Sequence, residues 1–232
     1  ERYMPDSLRN RVVLVTGGMG GLGRGILPVL VSEGATVITT VHRPTNETVQ
    51  GVQIEVADLL EPIEVEPLVA RVVEQHGRLD ALVCLVGGFR GGTFIQTDNQ
   101  TWRELVELNV QTSVTAIRTA LPTMTERGYG RIVTVGSRPA LDPSPNTSAY
   151  AAAKASVIAM TRSLGRELRG TGVTINCVLP DTVDTAHNRE SMPKADPSRW
   201  VSPEQVGHVI AFLCSEHAGI IRGAAVPVYG DR

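Results

Sequence analysis

Lysine is nearly missing from this chain of 232 residues: twenty arginines carry the basic charge, against Lys154 and Lys194 alone. Cysteine is sparse as well. Cys84, Cys177 and Cys214 are an odd number, none belongs to a Cys-x-x-Cys pair, and each sits among apolar neighbours. That excludes a disulfide framework and reads as buried, reduced thiols of a cytoplasmic protein. The five histidines never fall at metal-ligand spacing with other donors, so no metal is expected. Formal charge is only −2 and no basic run interrupts the balance, which argues against a nucleic-acid partner. No apolar run approaches the roughly 18 residues that span a bilayer, and the opening ERYMPDSLRNR lacks the apolar centre of a signal peptide. No membrane partner is expected, and the Asn-x-Ser/Thr triplets at Asn46, Asn99 and Asn146 carry no meaning in that setting. Repeats and low-complexity tracts are missing too. What remains is a single globular domain over residues 1–232, 42% hydrophobic and 20% charged.

Short β-branched runs alternate with stretches of helical period along the chain. Strands are expected at 11–16, 34–43, 51–57, 79–86, 130–136, 172–179 and 224–228, and helices at 22–32, 62–76, 102–127, 148–169 and 204–215. Within 102–127 the apolar period is interrupted only by Pro122. Residues 180–203 show little period beyond a short stretch near 186–191, and a loop of that length reads as a substrate lid, here 186–202. This alternation predicts an α/β, doubly wound Rossmann-type fold, with a parallel sheet of about seven strands and helices on both faces.

Chemistry gathers at four places. The turn Thr16-Gly17-Gly18-Met19-Gly20-Gly21-Leu22-Gly23 lies between a buried strand and a helix, where glycines let a pyrophosphate approach backbone N–H groups and the positive helix end. After the second strand, Val41, His42 and Arg43 stand where an acid would bind the ribose 2′-hydroxyl of NAD; room and positive charge there favour NADP(H) over NAD(H). Asp58 ends the third strand on the ligand side, and the loop from Gly87 to Gly92 is glycine-rich. Asn109 falls mid-helix, where an amide disturbs the ladder and needs a reason. Ser137 follows the fifth strand directly. Tyr150 and Lys154 stand four residues apart on one helix face, with Asn146, Thr147 and Ser148 as candidate caps. An ammonium beside a phenol favours phenolate, so the pair can pass a proton near neutral pH.

Taken together, TGxxxGxG at Thr16–Gly23, Asp58-Leu59, Asn109, Ser137 and Tyr150-xxx-Lys154 closely resemble the short-chain dehydrogenase/reductase family, over essentially all of 11–229. The resemblance implies an NAD(P)-dependent oxidoreductase that interconverts a carbonyl and an alcohol. Tyr150 would be the acid/base and Ser137 would orient the substrate oxygen. Lys154 would hold the nicotinamide ribose and lower the Tyr150 pKa, and Asn109 would hold a relay water. The cofactor would also meet Leu59, Gly87, Gly88 and Pro180, with Val183 and Thr185 at the carboxamide. Two departures stand out: Leu85-Val86-Gly87-Gly88 replaces Asn-Asn-Ala-Gly, as in dihydropteridine reductases, and Pro180-Asp181 replaces Pro-Gly. A solvated carboxylate is the plain reading of Asp181. Phe89, Arg90, Arg138, Asp181 and Trp200 are candidate pocket residues, and the two arginines suggest a polar or anionic small-molecule substrate. Alternatives are a catalytically silent, dinucleotide-sensing regulator and a 3-oxoacyl thioester reductase; an enoyl reductase expects a longer Tyr-to-Lys spacing. The Ala-rich helix implies a homotetramer or dimer.

Overall fold

The computed structural model describes residues 6–230. Seven parallel strands form one sheet: β1 (Val12–Thr16), β2 (Thr36–Val41), β3 (Val52–Val56), β4 (Ala81–Cys84), β5 (Gly130–Val135), β6 (Val173–Pro180) and β7 (Ala225–Val228), in the order β3-β2-β1-β4-β5-β6-β7. Because strand side chains alternate, each central strand feeds two cores. Val12 and Leu14 of β1 join Leu68, Val72, Ile117 and Met124, whereas Val13 and Val15 join Ile26, Leu30, Val206 and Ile210. The first core thus packs against α2 (Pro62–His76) and α4 (Thr112–Glu126), and the second against α1 (Gly23–Ser32) and α7 (Pro203–Cys214). Each fully buried aliphatic side chain contributes about 1.5–3 kcal/mol against exposure. All three cysteines are buried and free, and burial pushes Cys84 and Cys214 up to about 12.

The expected 102–127 helix is divided elsewhere than its proline suggests. α3 (Asn99–Val106) and α4 are joined by one π-helical turn, Glu107–Gln111, centred on Asn109, while α4 runs through Pro122. A π turn shifts the ladder by one residue and gives an interior amide a place to bond. α5 (Ser148–Glu167) carries Tyr150 near its start. Its cap differs from expectation. Thr147 takes the cap position, but its hydroxyl donates to the Ser144 carbonyl, and Asn146 is left-handed with φ 65°. The Asn146 carbonyl accepts instead from Gly92 N–H at 2.8 Å, tying the glycine-rich loop to the start of α5.

Between β6 and α7, the segment read as a lid holds α6 (Ala186–Ser191) and a 3-10 turn at Pro197–Arg199. Its two ends are pinned by a bridge between Val183 and Val201, with Asp184 N–H donating to Val201 O at 2.8 Å. Among the described residues no helix is long and apolar enough to cross a membrane, and no group of three or more His, Cys, Asp or Glu is placed to hold a metal.

Candidate active site

The order β3-β2-β1-β4 reverses beside β1, and the glycine turn sits there, at the carboxyl edge where ligands bind in such sheets. Its glycines divide by what they do. Gly17 is left-handed (φ 67°), and a Cβ on Gly23 would lie 2.2 Å from the Gly18 carbonyl oxygen, so the turn itself demands glycine at both positions. Gly18 is buried, its N–H donating to Thr39 Oγ1 at 2.9 Å, while Gly17 N–H donates to Thr40 Oγ1 at 3.2 Å. These two threonines of β2, which lock the turn, were not read from the sequence; only the pair Thr39-Thr40 beside a glycine turn hints at them. Thr16 is buried too, and its hydroxyl accepts from Leu85 N–H. Gly20 and Gly21 face outward, and a Cβ on Gly21 would touch Thr185 at 3.3 Å. Half-buried Leu22 stands at the helix cap with φ −71°.

Beside the turn lies a cavity of about 450 Å³. It brings together Gly17, Gly20, His42, Asp58 and Leu59 from the sequence reading, and adds Met19, Val86, Leu108 and Thr112. His42 Nδ1 lies 3.6 Å from the Asp58 carboxylate, so the end of β2 meets an acid supplied by the end of β3. Arg43 is exposed next to it. Asp58 also accepts from Leu60 N–H at 2.9 Å, which fixes its turn.

Asn109 is buried and spends its amide inside the protein. Its Nδ2 donates to Leu105 O (2.9 Å) and Gly88 O (3.0 Å), and its Oδ1 accepts from Gly88 N–H (3.1 Å). Both amide hydrogens are used, and the side chain holds the glycine loop. The Gly87 departure has a cause here: a Cβ would stand 2.7 Å from Asn109 Oδ1 and 3.0 Å from Lys154 Nζ.

Lys154 is buried and donates to the Val135 carbonyl at 2.8 Å, and burial pushes it down to about 8. Ser137 beside the Tyr150 phenol favours its ionised form, but burial is the larger effect and the phenol is raised above its ordinary value. The Lys154 ammonium is held at the tip of β5, one helical turn on from Tyr150. Phe89 packs its edge on the Tyr150 ring, centroids 5.0 Å apart.

Both candidate anion-binding arginines are already matched. Arg90 pairs with Glu104 at 2.7 Å; Arg138 pairs with Asp181 at 3.0 Å and Asp142 at 3.5 Å, and lies over the Tyr229 ring. Asp181 is therefore a partner of Arg138 rather than a solvated carboxylate, its side chain only 12% exposed. Arg138 and Asp181 flank the neighbouring tips of β5 and β6, and Pro180, the last residue of β6, is buried. Val183 is buried at the bridge, and Thr185 caps α6 by accepting from Asn188 N–H. Trp200 is buried rather than open to a ligand, and its indole N–H has no acceptor among the described residues.

Comparison with known proteins agrees with this arrangement. The short chain dehydrogenase family model matches residues 11–196. The human dehydrogenase/reductase SDR family member 4 is 31% identical over 97% of this chain and 88% of its own length. The acetoacetyl-CoA reductase of Allochromatium vinosum is 31% identical over 95% and 97%, and the 3-oxoacyl-acyl-carrier-protein reductase of Thermotoga maritima 28% identical over 96% and 98%. A family match over most of the chain, on a seven-stranded parallel sheet, places this protein in the short-chain dehydrogenase/reductase family of oxidoreductases.

Proposed function

We propose that this protein interconverts a carbonyl and an alcohol on a small molecule, using NADP(H) ahead of NAD(H), with Tyr150 passing the proton. The observation that carries the reading is the meeting of Ser137, at the tip of β5, with Tyr150 near the start of α5, and buried Lys154 one helical turn further on, tied to the Val135 carbonyl. The residues present suit a dinucleotide. Gly20 and Gly21 leave backbone open to a phosphate, the adjoining cavity is walled by Met19, Val86, Leu59 and Leu108, and His42 and exposed Arg43 supply charge for a 2′-phosphate. When bound, the nicotinamide supplies or takes up a hydride.

The chain's own groups do the rest. A phenol raised by burial stays protonated at neutral pH, the state needed to give a proton to an oxygen gaining negative charge during reduction. Ser137 orients that oxygen and shares the load. In oxidation the same two groups take the proton instead. Lys154, at about 8, is still mainly cationic at neutral pH and grips a ribose where Gly87 leaves room. Asn109 is a positioning residue that acts through Gly88. Phe89 packs at about a right angle against the Tyr150 ring and helps hold it in place. With Arg90 and Arg138 both ion-paired, the pocket favours a polar but uncharged reacting end over an anion.

Two relatives bear names of 3-oxoacyl thioester reductases, which favours that substrate class as a second reading. An NADPH-oxidation screen over ketones, quinones and 3-oxoacyl thioesters separates the two, and the kcat/KM ratio for NADPH over NADH tests the cofactor preference; a ratio below one contradicts it. Tight dinucleotide binding with no turnover on the whole panel would indicate a silent regulator instead. A homotetramer fits the apolar groove between α4 and α5, lined by Val114, Leu121, Met160 and Leu164; a monomer in light scattering contradicts that assembly.

A further inference from the structure

Among the described residues, eight arginines have an acid within ion-pair distance. Arg11 and Arg78 share buried Asp80, Arg71 pairs with Glu55, and Arg189 with Asp184. Four others do not. Arg162, Arg166 and Arg169, on α5 and just past its end, and Arg222, before β7, line one hollow of about 430 Å³. No acid lines that hollow, and none of the four makes an ion pair among the described residues.

The backbone brings the two walls together. A Cβ on Gly165 would lie 2.6 Å from Gly223 N, so the helix and the loop touch at glycine, and Gly223 N–H is fixed on Ile175 O at 2.8 Å. Arg222 is braced by the Val173 carbonyl at 3.4 Å. Like charges four apart on a helix, as Arg162 and Arg166 are, repel each other. The helix dipole favours a cation in the last turn, which accounts for Arg166 but not for Arg162 or for Arg222 on the other wall. Concentrated positive charge around a concavity of small-molecule size is the arrangement that recognises an anion, and planar guanidinium groups do so through paired hydrogen bonds.

We propose that this hollow binds a compact polyanion, a small molecule bearing two or more phosphate or carboxylate groups, at a site separate from the active site. Arg162 lies twelve residues beyond Tyr150 on α5, about 18 Å along the helix axis at the usual rise. Because α5 starts at the carboxyl edge and the 219–224 segment leads into β7, the hollow occupies the opposite edge of the sheet. The proposal does not depend on the catalytic reading.

The test is calorimetric titration of inorganic pyrophosphate, and separately of citrate, into the whole protein at fixed ionic strength. The proteins compared are wild type, R166Q/R222Q, and R9Q/R103Q as a control for lost charge elsewhere. Saturable one-to-one binding of at least one probe is expected in wild type and control, weakened about tenfold or more in R166Q/R222Q. The probe that binds tells phosphate from carboxylate chemistry, and unchanged Tm without ligand shows that the variants are folded. Lack of saturable binding by both probes overturns the proposal. So does an equal constant in R166Q/R222Q, which would put the anion elsewhere, the glycine turn included.

Discussion

The carboxyl edge of the sheet carries two loop clusters built on different rules. Over β1 and β2, the shape of the turn is specified by backbone contacts within eight residues (Gly23 against Gly18, Gly17 in the left-handed region, Gly20 N–H on Gly17 O), and Thr39 and Thr40 of β2 then lock it in place. Over β5 and β6, the groups are set by partners far along the chain. Lys154 is held by Val135, Arg138 by Asp181 across 43 residues, and the Asn109 carboxamide by Gly88 across 21. A local site tolerates little change in its own motif; a long-range site depends on residues that no motif includes.

Substitutions can break that contrast. The largest loss of stability is expected from Gly23→Ala, whose Cβ meets a backbone oxygen that cannot move aside; urea unfolding should show a cost of about 3 kcal/mol. Gly20→Ala is the counterpart. Its Cβ stands 3.3 Å from Gly17 O, so stability should hold within about 0.5 kcal/mol while dinucleotide affinity falls. An equal stability loss in both variants would mean that the turn's glycines are not divided as described.

At the other cluster, Asn109→Ala strips partners from Gly88 and Leu105 and should cost about 1–3 kcal/mol, with turnover reduced as the Gly87–Gly88 loop loosens. Lys154 gives a pH signature. Its pKa is lowered on folding, from 10.5 to about 8, so the unfolded chain binds the extra proton between those values. The burial penalty is therefore full below about pH 8 and fades as pH rises toward 10.5, and wild type should gain stability relative to Lys154→Met across that window. Urea midpoints that keep a constant difference from about pH 7 to about pH 10 would refute the burial of a charged Lys154. The smallest effect belongs to the Arg138–Asp181 pair. Arg138→Ala and Asp181→Ala should each change KM by less than about tenfold, and the double variant no more than either alone. Additive effects would show that the two act separately on the substrate.

How much was legible follows the same division. The strand–turn–helix around Thr16–Gly23 could be read because its cause is local: glycine where a Cβ has no room, and a β-branched run before it. Strand number and the parallel class of the sheet followed from alternation with helices, and α2 matched at both ends because Pro62 starts it and Gly77, left-handed at φ 69°, ends it. The disturbance at Asn109 could be read from an amide in mid-helix, but the interruption expected at Pro122 is not there and the π turn was not foreseen. A proline merely omits one hydrogen bond there, whereas a buried amide with three partners reshapes the ladder, and those partners come from another loop. The charge of Arg90 and Arg138 was visible; their neutralisation by Glu104 and Asp181 needs the fold. Thr39 and Thr40 were passed over as ordinary strand residues because only strand pairing sets them beneath Gly17 and Gly18.

The central claim is that Tyr150 moves the proton while the rest of the chain holds its reactants. Its most direct measurement is turnover and dinucleotide affinity, side by side, in wild type and Tyr150→Phe, on whichever carbonyl the screen identifies. The account predicts that turnover falls by about 10²- to 10⁴-fold while affinity and Tm stay near wild type. Turnover that survives the loss of the phenol oxygen would contradict it.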